Sequence, residues 1–133
     1  MSLDEIRGTE IQNQVILVLE KLKGVKPNNL TAITRNNAED ILRDVSEEAL
    51  ENYNEGFYIP LKEGLSLYLL KNTKSGRIVL LDRNGETIVT SYHDKASRES
   101  ALLVFLYDLY QGRVEELNYN RKSAKLNKIL SCI

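Results

Sequence analysis

"RIVLLDRNGETIVTSY", residues 77–92, decides the fold. Two runs of aliphatic and β-branched residues flank Asn84-Gly85, the strongest short-range signal for a β-hairpin. A two-residue type I′ turn there sets Arg83 opposite Glu86, Leu81 opposite Ile88 and Val79 opposite Thr90. Ile78, Val79, Leu80 and Leu81 are consecutive, so the alternation of a strand sends apolar side chains to both faces. Both sides of the sheet therefore need cover, helices on one and either a helix or a second subunit on the other.

Upstream, "LSLYLLK" from Leu65 reads as the preceding strand, joined through "NTKSG" at 72–76 with Gly76 at a bulge. "FYIPLKEG" at 57–64 reads as an extended linker, because Pro60 cannot donate to a central ladder. Downstream, "ALLVFLY" at 101–107 is short enough for a buried strand. The polar lead-in from Asp94, the polar return at Asp108 and Gly112 make it a buried helix, capped by Asp94 and ended at Gln111.

The chain opens with Ser2 and Glu5 at the spacing of a capping box. Ile11, Val15, Val18, Leu19 and Leu22 then lie on one side of a helix that Gly24 and Pro27 close. Ile16 and Leu17 fall off that stripe, which suits a second layer or a subunit contact. Thr34 can cap a second helix running to about Asn54, with Ala38, Ile41, Leu42, Val45, Ala49 and Tyr53 inward. A last helix runs from Arg113 to the end, its Tyr119, Leu126, Leu130 and Ile133 on one side. The expected fold is a single α+β domain over 1–133. A three-stranded antiparallel meander packs against a long buried helix, with two N-terminal helices and one C-terminal helix.

At 133 residues, 42% of them hydrophobic, the chain can bury a core without disulfides or metal. A net charge of -1 excludes a strongly basic or acidic whole-chain role, so charge arguments must be local. The apolar run at 101–107 is far short of the roughly 20 residues of a spanning helix, and "MSLDEIRGTE" lacks a signal-peptide plan. A cytoplasmic protein without membrane association is expected. One cysteine, Cys132, and one histidine, His93, exclude an intrachain disulfide and supply too few ligands for a transition-metal site. No metal or other cofactor is expected.

"SYHDKASRES" at 91–100 holds His93, Asp94, Ser97 and Ser100, the residue types of a hydrolase. Neighbouring strand residues point to opposite faces, so Asp94 is badly placed to orient His93, and no nucleophile elbow is present. The stretch reads as a strand exit and a helix start. His93, Lys95 and Arg98 could hold an anion at that helix N-terminus. No Walker or G-x-G-x-x-G spacing occurs.

Residues 39–55 hold seven acids against Arg43, a local charge of -6. On a helix, Asp40, Asp44, Glu47, Glu48, Glu51 and Glu55 share one ridge opposite the core. Like charges at i+4 destabilise a helix by about 0.2–0.5 kcal/mol each, so helix stability does not account for them. Residues 113–133 carry five bases and two acids, with Arg121, Lys122, Lys125 and Lys128 forming a basic ridge.

These features point to a non-enzymatic binding or regulatory protein acting through a charged helical surface. An immunity- or antitoxin-type inhibitor docking a basic partner protein on the acidic ridge is the leading expectation. A ligand- or anion-binding site, or an enzyme, at His93 is the second expectation, and nucleic-acid binding through the basic C-terminal helix the third. A homodimer would also satisfy the doubly apolar middle strand.

Overall fold

The computed structural model describes residues 2–43, 45, 53–91 and 97–133. Helix α1 (Leu3–Leu22) is followed by strand β1 (Thr31–Ile33), the short helix α2 (Ala38–Ile41), and strands β2 (Tyr53–Pro60), β3 (Ser66–Asn72), β4 (Ile78–Asp82) and β5 (Thr87–Thr90). Helix α3 (Arg98–Cys132) ends the chain. The α+β class holds, but the meander has five antiparallel strands in the order β1-β2-β3-β4-β5 rather than three.

The two additional strands correct the reading of residues 34–64. The "linker" is β2, paired with β1 on one side and β3 on the other. Pro60 is tolerated because it is the last residue of β2, beyond the end of β1, where Thr31 pairs with Tyr58. The helix expected from Thr34 to Asn54 is reduced to the four residues of α2, and Tyr53 is already in a strand. Thr34 does not cap it in helical fashion. Its hydroxyl accepts from Asn36 N in a local turn, while Asn37 Oδ1 accepts from Thr34 N.

As its pattern requires, β4 buries both faces. Ile78 and Leu80 join Phe57, Ile59, Leu67 and Leu69 beneath α1 and α3, against Leu19, Leu22, Leu103, Leu106, Tyr107 and Tyr110. Val79 and Leu81 join Tyr68, Leu70 and Ile33 on the other face, where Leu42 and Val45 cover them. At roughly 25 cal/mol per Å² of apolar surface removed from water, these two layers are the main stabilising term.

The turns refine the hairpin register. Val79 faces Thr90 as expected, but Leu81 faces Thr87, with Ile88 as an extra residue. Asn84 does not take the positive φ of a type I′ turn, since Glu63 is the sole described non-glycine residue with one. Instead Asp82 Oδ1 accepts from both Asn84 N and Glu86 N at 2.9 Å, and Gly85 takes φ 85°. That carboxylate selects a longer, bulged loop. The 72–76 loop forms as its sequence indicates, with Gly76 at φ 76° and Asn72 Oδ1 accepting from Lys74 N and Ser75 N.

In α1 the capping box between Ser2 and Glu5 is complete. Only Leu19 and Leu22 of its expected stripe are buried, with Val15 packed against them; Ile11 and Val18 are exposed. No break occurs at Gly112: α3 is one helix of 35 residues, not two. A glycine inside a helix costs about 1 kcal/mol relative to alanine. Anchors on both sides of it outweigh that cost. Tyr110 donates its hydroxyl proton to Leu22 O at 2.6 Å, and Arg113 Nη1 donates to Lys23 O at 2.5 Å. Leu22 O also accepts from Val25 N at 3.2 Å, while Arg113 reaches Lys23 O, just past the end of α1, so α3 ties down the C-terminal end of α1. The cap of α3 itself is Ser97, whose hydroxyl accepts from Ser100 N, and not Asp94, which lies outside the described residues.

Candidate functional site

The expected sites are distributed differently from the sequence reading. Asp44, Glu47, Glu48, Glu51, His93 and Lys95 lie outside the described residues. Of the acidic ridge, Asp40 and Glu55 remain, and they stand on different elements. Asp40 is on α2, bridged to Arg43 at 3.2 Å, whereas Glu55 is on β2. They share no helix face. Of the anion site, Arg98 is exposed at the start of α3. One N-H of that turn is already taken by Ser97, and the Glu99 Oε1 oxygen beside it is buried with no hydrogen-bond partner among the described residues.

Glu55 instead helps to line a cleft of about 590 Å³ between the β1–β2 edge and the middle of α3. Arg35, Asn36, Tyr107, Gln111 and Glu115 line it too, with Gly56 and Phe57. The sheet register slips between Tyr53 and Glu55, so Tyr53 packs into the second face while Glu55 reaches the α3 side with Phe57. Burial pushes the Tyr107 phenol up to about 12, and Glu55 and then Asp108 add to the rise. It therefore stays a neutral hydrogen-bond donor. None of these residues was legible as a site, because Glu55 read as part of a helix and β1 was not foreseen; the only signal was the glycine at 56.

The raised phenol has a consequence at high pH. Between the ordinary pKa of 10 and about 12, the unfolded chain ionises Tyr107 while the folded chain keeps its proton. Stability is therefore full below pH 10 and falls as pH rises toward 12. Tyr110, raised by burial against the lowering pull of Arg113, acts in the same direction. Urea unfolding at pH 9 and pH 11 should give a lower midpoint at the higher pH, with a smaller difference in Tyr107→Phe. An equal difference in the variant would contradict the assignment.

Arg121, Lys125 and Lys128 line one side of distal α3, with Lys122 about 100° round from Arg121. Arg121, Lys122, Lys125 and Lys128 are all exposed, and none is ion-paired among the described residues. They stand on the part of α3 that runs past the body, where no residue after Val114 belongs to a core cluster. At 100° per residue, Arg121, Lys125 and Lys128 fall within about 40° of buried Leu103 and so continue the body-facing side of α3. The apolar residues Tyr119, Leu126 and Ile133 fall about 120–160° away, on the opposite side. The amphipathic face thus turns over along the helix. No described helix is long and apolar enough to cross a membrane.

Comparison with protein families, with curated proteins and with solved structures finds nothing that matches this chain.

Proposed function

We propose that this chain is a non-enzymatic binding protein whose working surface is the basic ridge of distal α3, and that its partner is a nucleic-acid backbone. The observation that carries the reading is the placement of Arg121, Lys125 and Lys128 in one line on a projecting helix with no acid between them. Their i, i+4, i+7 spacing corresponds to rises of about 6 and 4.5 Å at 1.5 Å per residue. A helix clear of the body can lie along a groove, where the phosphates supply a sequence-independent attraction. Glu115 and Glu116 limit the surface at the root of the projection, where Arg35 lines the neighbouring cleft.

Fluorescence anisotropy with a labelled duplex tests this across a salt series. Three phosphate contacts at about -0.9 each predict a slope of log K against log salt near -2.7. The triple change Arg121→Ala, Lys125→Ala, Lys128→Ala should remove the binding without altering the melting temperature. Absence of salt-dependent binding at low ionic strength sinks the proposal.

A further inference from the structure

Helices α1 and α3 lie side by side and run in the same direction. Gly8 and Gln12 of α1 border the same pocket as Ser97 and Glu99 at the start of α3, while Leu22 meets Tyr110 further along. The two helices therefore project from opposite ends of the layer, α1 by its N-terminus and α3 by its C-terminus. Each carries an exposed stripe turned off the body-facing side, apolar except for Glu10 and Asn13 on α1 and Lys122 on α3. On α1 the stripe is Leu3, Ile6, Glu10, Asn13 and Leu17, within an arc of about 80° centred opposite buried Leu19. On α3 it is Tyr119, Lys122, Leu126, Ile129 and Ile133, an arc of similar width centred about 120° round from Leu103. Leu3, Leu17, Tyr119 and Ile133 are 61%, 55%, 73% and 97% exposed.

Both stripes have the alternating 3 and 4 spacing of a coiled-coil seam, and each extends about 21 Å at 1.5 Å per residue. Among the described residues, nothing of the body that carries it covers either stripe. An isolated helix of about 12–15 residues is marginal in water, so the unpacked end of α3 would gain order from a partner. Charge identifies the kind of surface that fits. Residues 119–133 carry four cations and no acid, so two such segments repel each other. Residues 3–17 carry Asp4, Glu5 and Glu10 against Arg7, a charge of -2. Distal α3 is thus complementary to the start of α1 in spacing, length and charge.

We propose that a second copy of this chain covers the stripe, as a two-fold dimer in which distal α3 of each copy packs antiparallel on α1 of the other. Leu17 lies five residues before the Leu22–Tyr110 level and Tyr119 nine residues after it. A perpendicular two-fold axis about 3 Å from that level superposes the two stripes of about 21 Å. The facing pairs are Leu3 with Ile133, Ile6 with Ile129, Glu10 with Leu126, Asn13 with Lys122 and Leu17 with Tyr119. Glu10 then sits beside Lys122 and Lys125 of the other copy. Arg121 and Lys128 of each copy remain on the outside.

Light scattering on the eluting full-length chain tests the dimer without any nucleic acid, so its outcome is separate from that of the duplex-binding experiment. At roughly 100 µM chain and low salt, a contact with Kd about a hundredfold below that concentration gives close to twice the 15.2 kDa mass. Leu126→Asp should return the single-chain mass and the thermal melt that the unaltered chain shows when diluted to single chains, since Leu126 touches no core. Lys122→Glu and Glu10→Lys should each weaken the dimer at least tenfold, and both together in one chain should restore it. A 15.2 kDa mass for the unaltered chain overturns the proposal. So does a dimer that Leu126→Asp breaks but Glu10→Lys leaves intact, which would be α3 on α3.

Discussion

Gly56→Ala should abolish the native state. Gly56 sits in β2 between Ile33 of β1 and Leu70 of β3, at φ 154°, a backbone conformation that residues with a side chain rarely adopt. An added Cβ would lie within van der Waals overlap of Leu69 O, with Leu70 Cα 2.9 Å away. Both obstacles are backbone atoms of the strand next to β2. They can move only if the β2–β3 ladder opens, and that ladder carries Phe57, Ile59, Leu67 and Leu69 into the core. The cost should exceed about 4 kcal/mol, comparable with the 5–15 kcal/mol total stability of a small domain. Circular dichroism should show loss of the cooperative melt. A melt within a few degrees of the unaltered protein would show that the sheet has a cheaper way to accommodate the atom.

Removing the Tyr110 side chain should be nearly as severe. It is fully buried, packs edge-on to Phe57 with ring centroids 5.8 Å apart, and donates its hydroxyl proton to Leu22 O. Tyr110→Ala combines a large cavity with a lost hydrogen bond, and should cost about 3–5 kcal/mol in urea denaturation. Tyr110→Phe separates the two contributions. It keeps the ring and removes one of the two hydrogen bonds to Leu22 O, the other coming from Val25 N, at a cost of about 0.5–1.5 kcal/mol. Amide exchange along the second half of α1 should quicken in both variants, because α3 no longer holds the end of that helix. If Tyr110→Phe changes stability by less than about 0.5 kcal/mol, the bond to Leu22 is not what joins the helices.

The candidate surfaces were unequally legible in the sequence. The basic ridge followed directly from helical spacing, since a 100° step places Arg121, Lys125 and Lys128 together wherever the helix starts. The acidic ridge required one helix to run from Thr34 to Asn54, and it lost Glu55 when residues 53–60 became a strand. The cleft was invisible because its lining comes from β1, β2 and α3, segments 70 residues or more apart in part of their contacts. No local pattern reports such a meeting.

What the sequence determined by itself were the features closed by bonds between near neighbours. These are the Ser2–Glu5 capping box, the 72–76 loop with Gly76 at positive φ, and the two-faced β4 whose alternation demands cover on both sides. Tertiary structure decided the rest. A three-residue strand such as β1 has too little propensity of its own and exists because β2 offers it a ladder. Gly112 alone would end a helix, yet α3 continues through it because Tyr110 and Arg113 on either side are bound to the end of α1. Local preference is worth about 1 kcal/mol at such positions, and packing with long-range hydrogen bonds exceeds it.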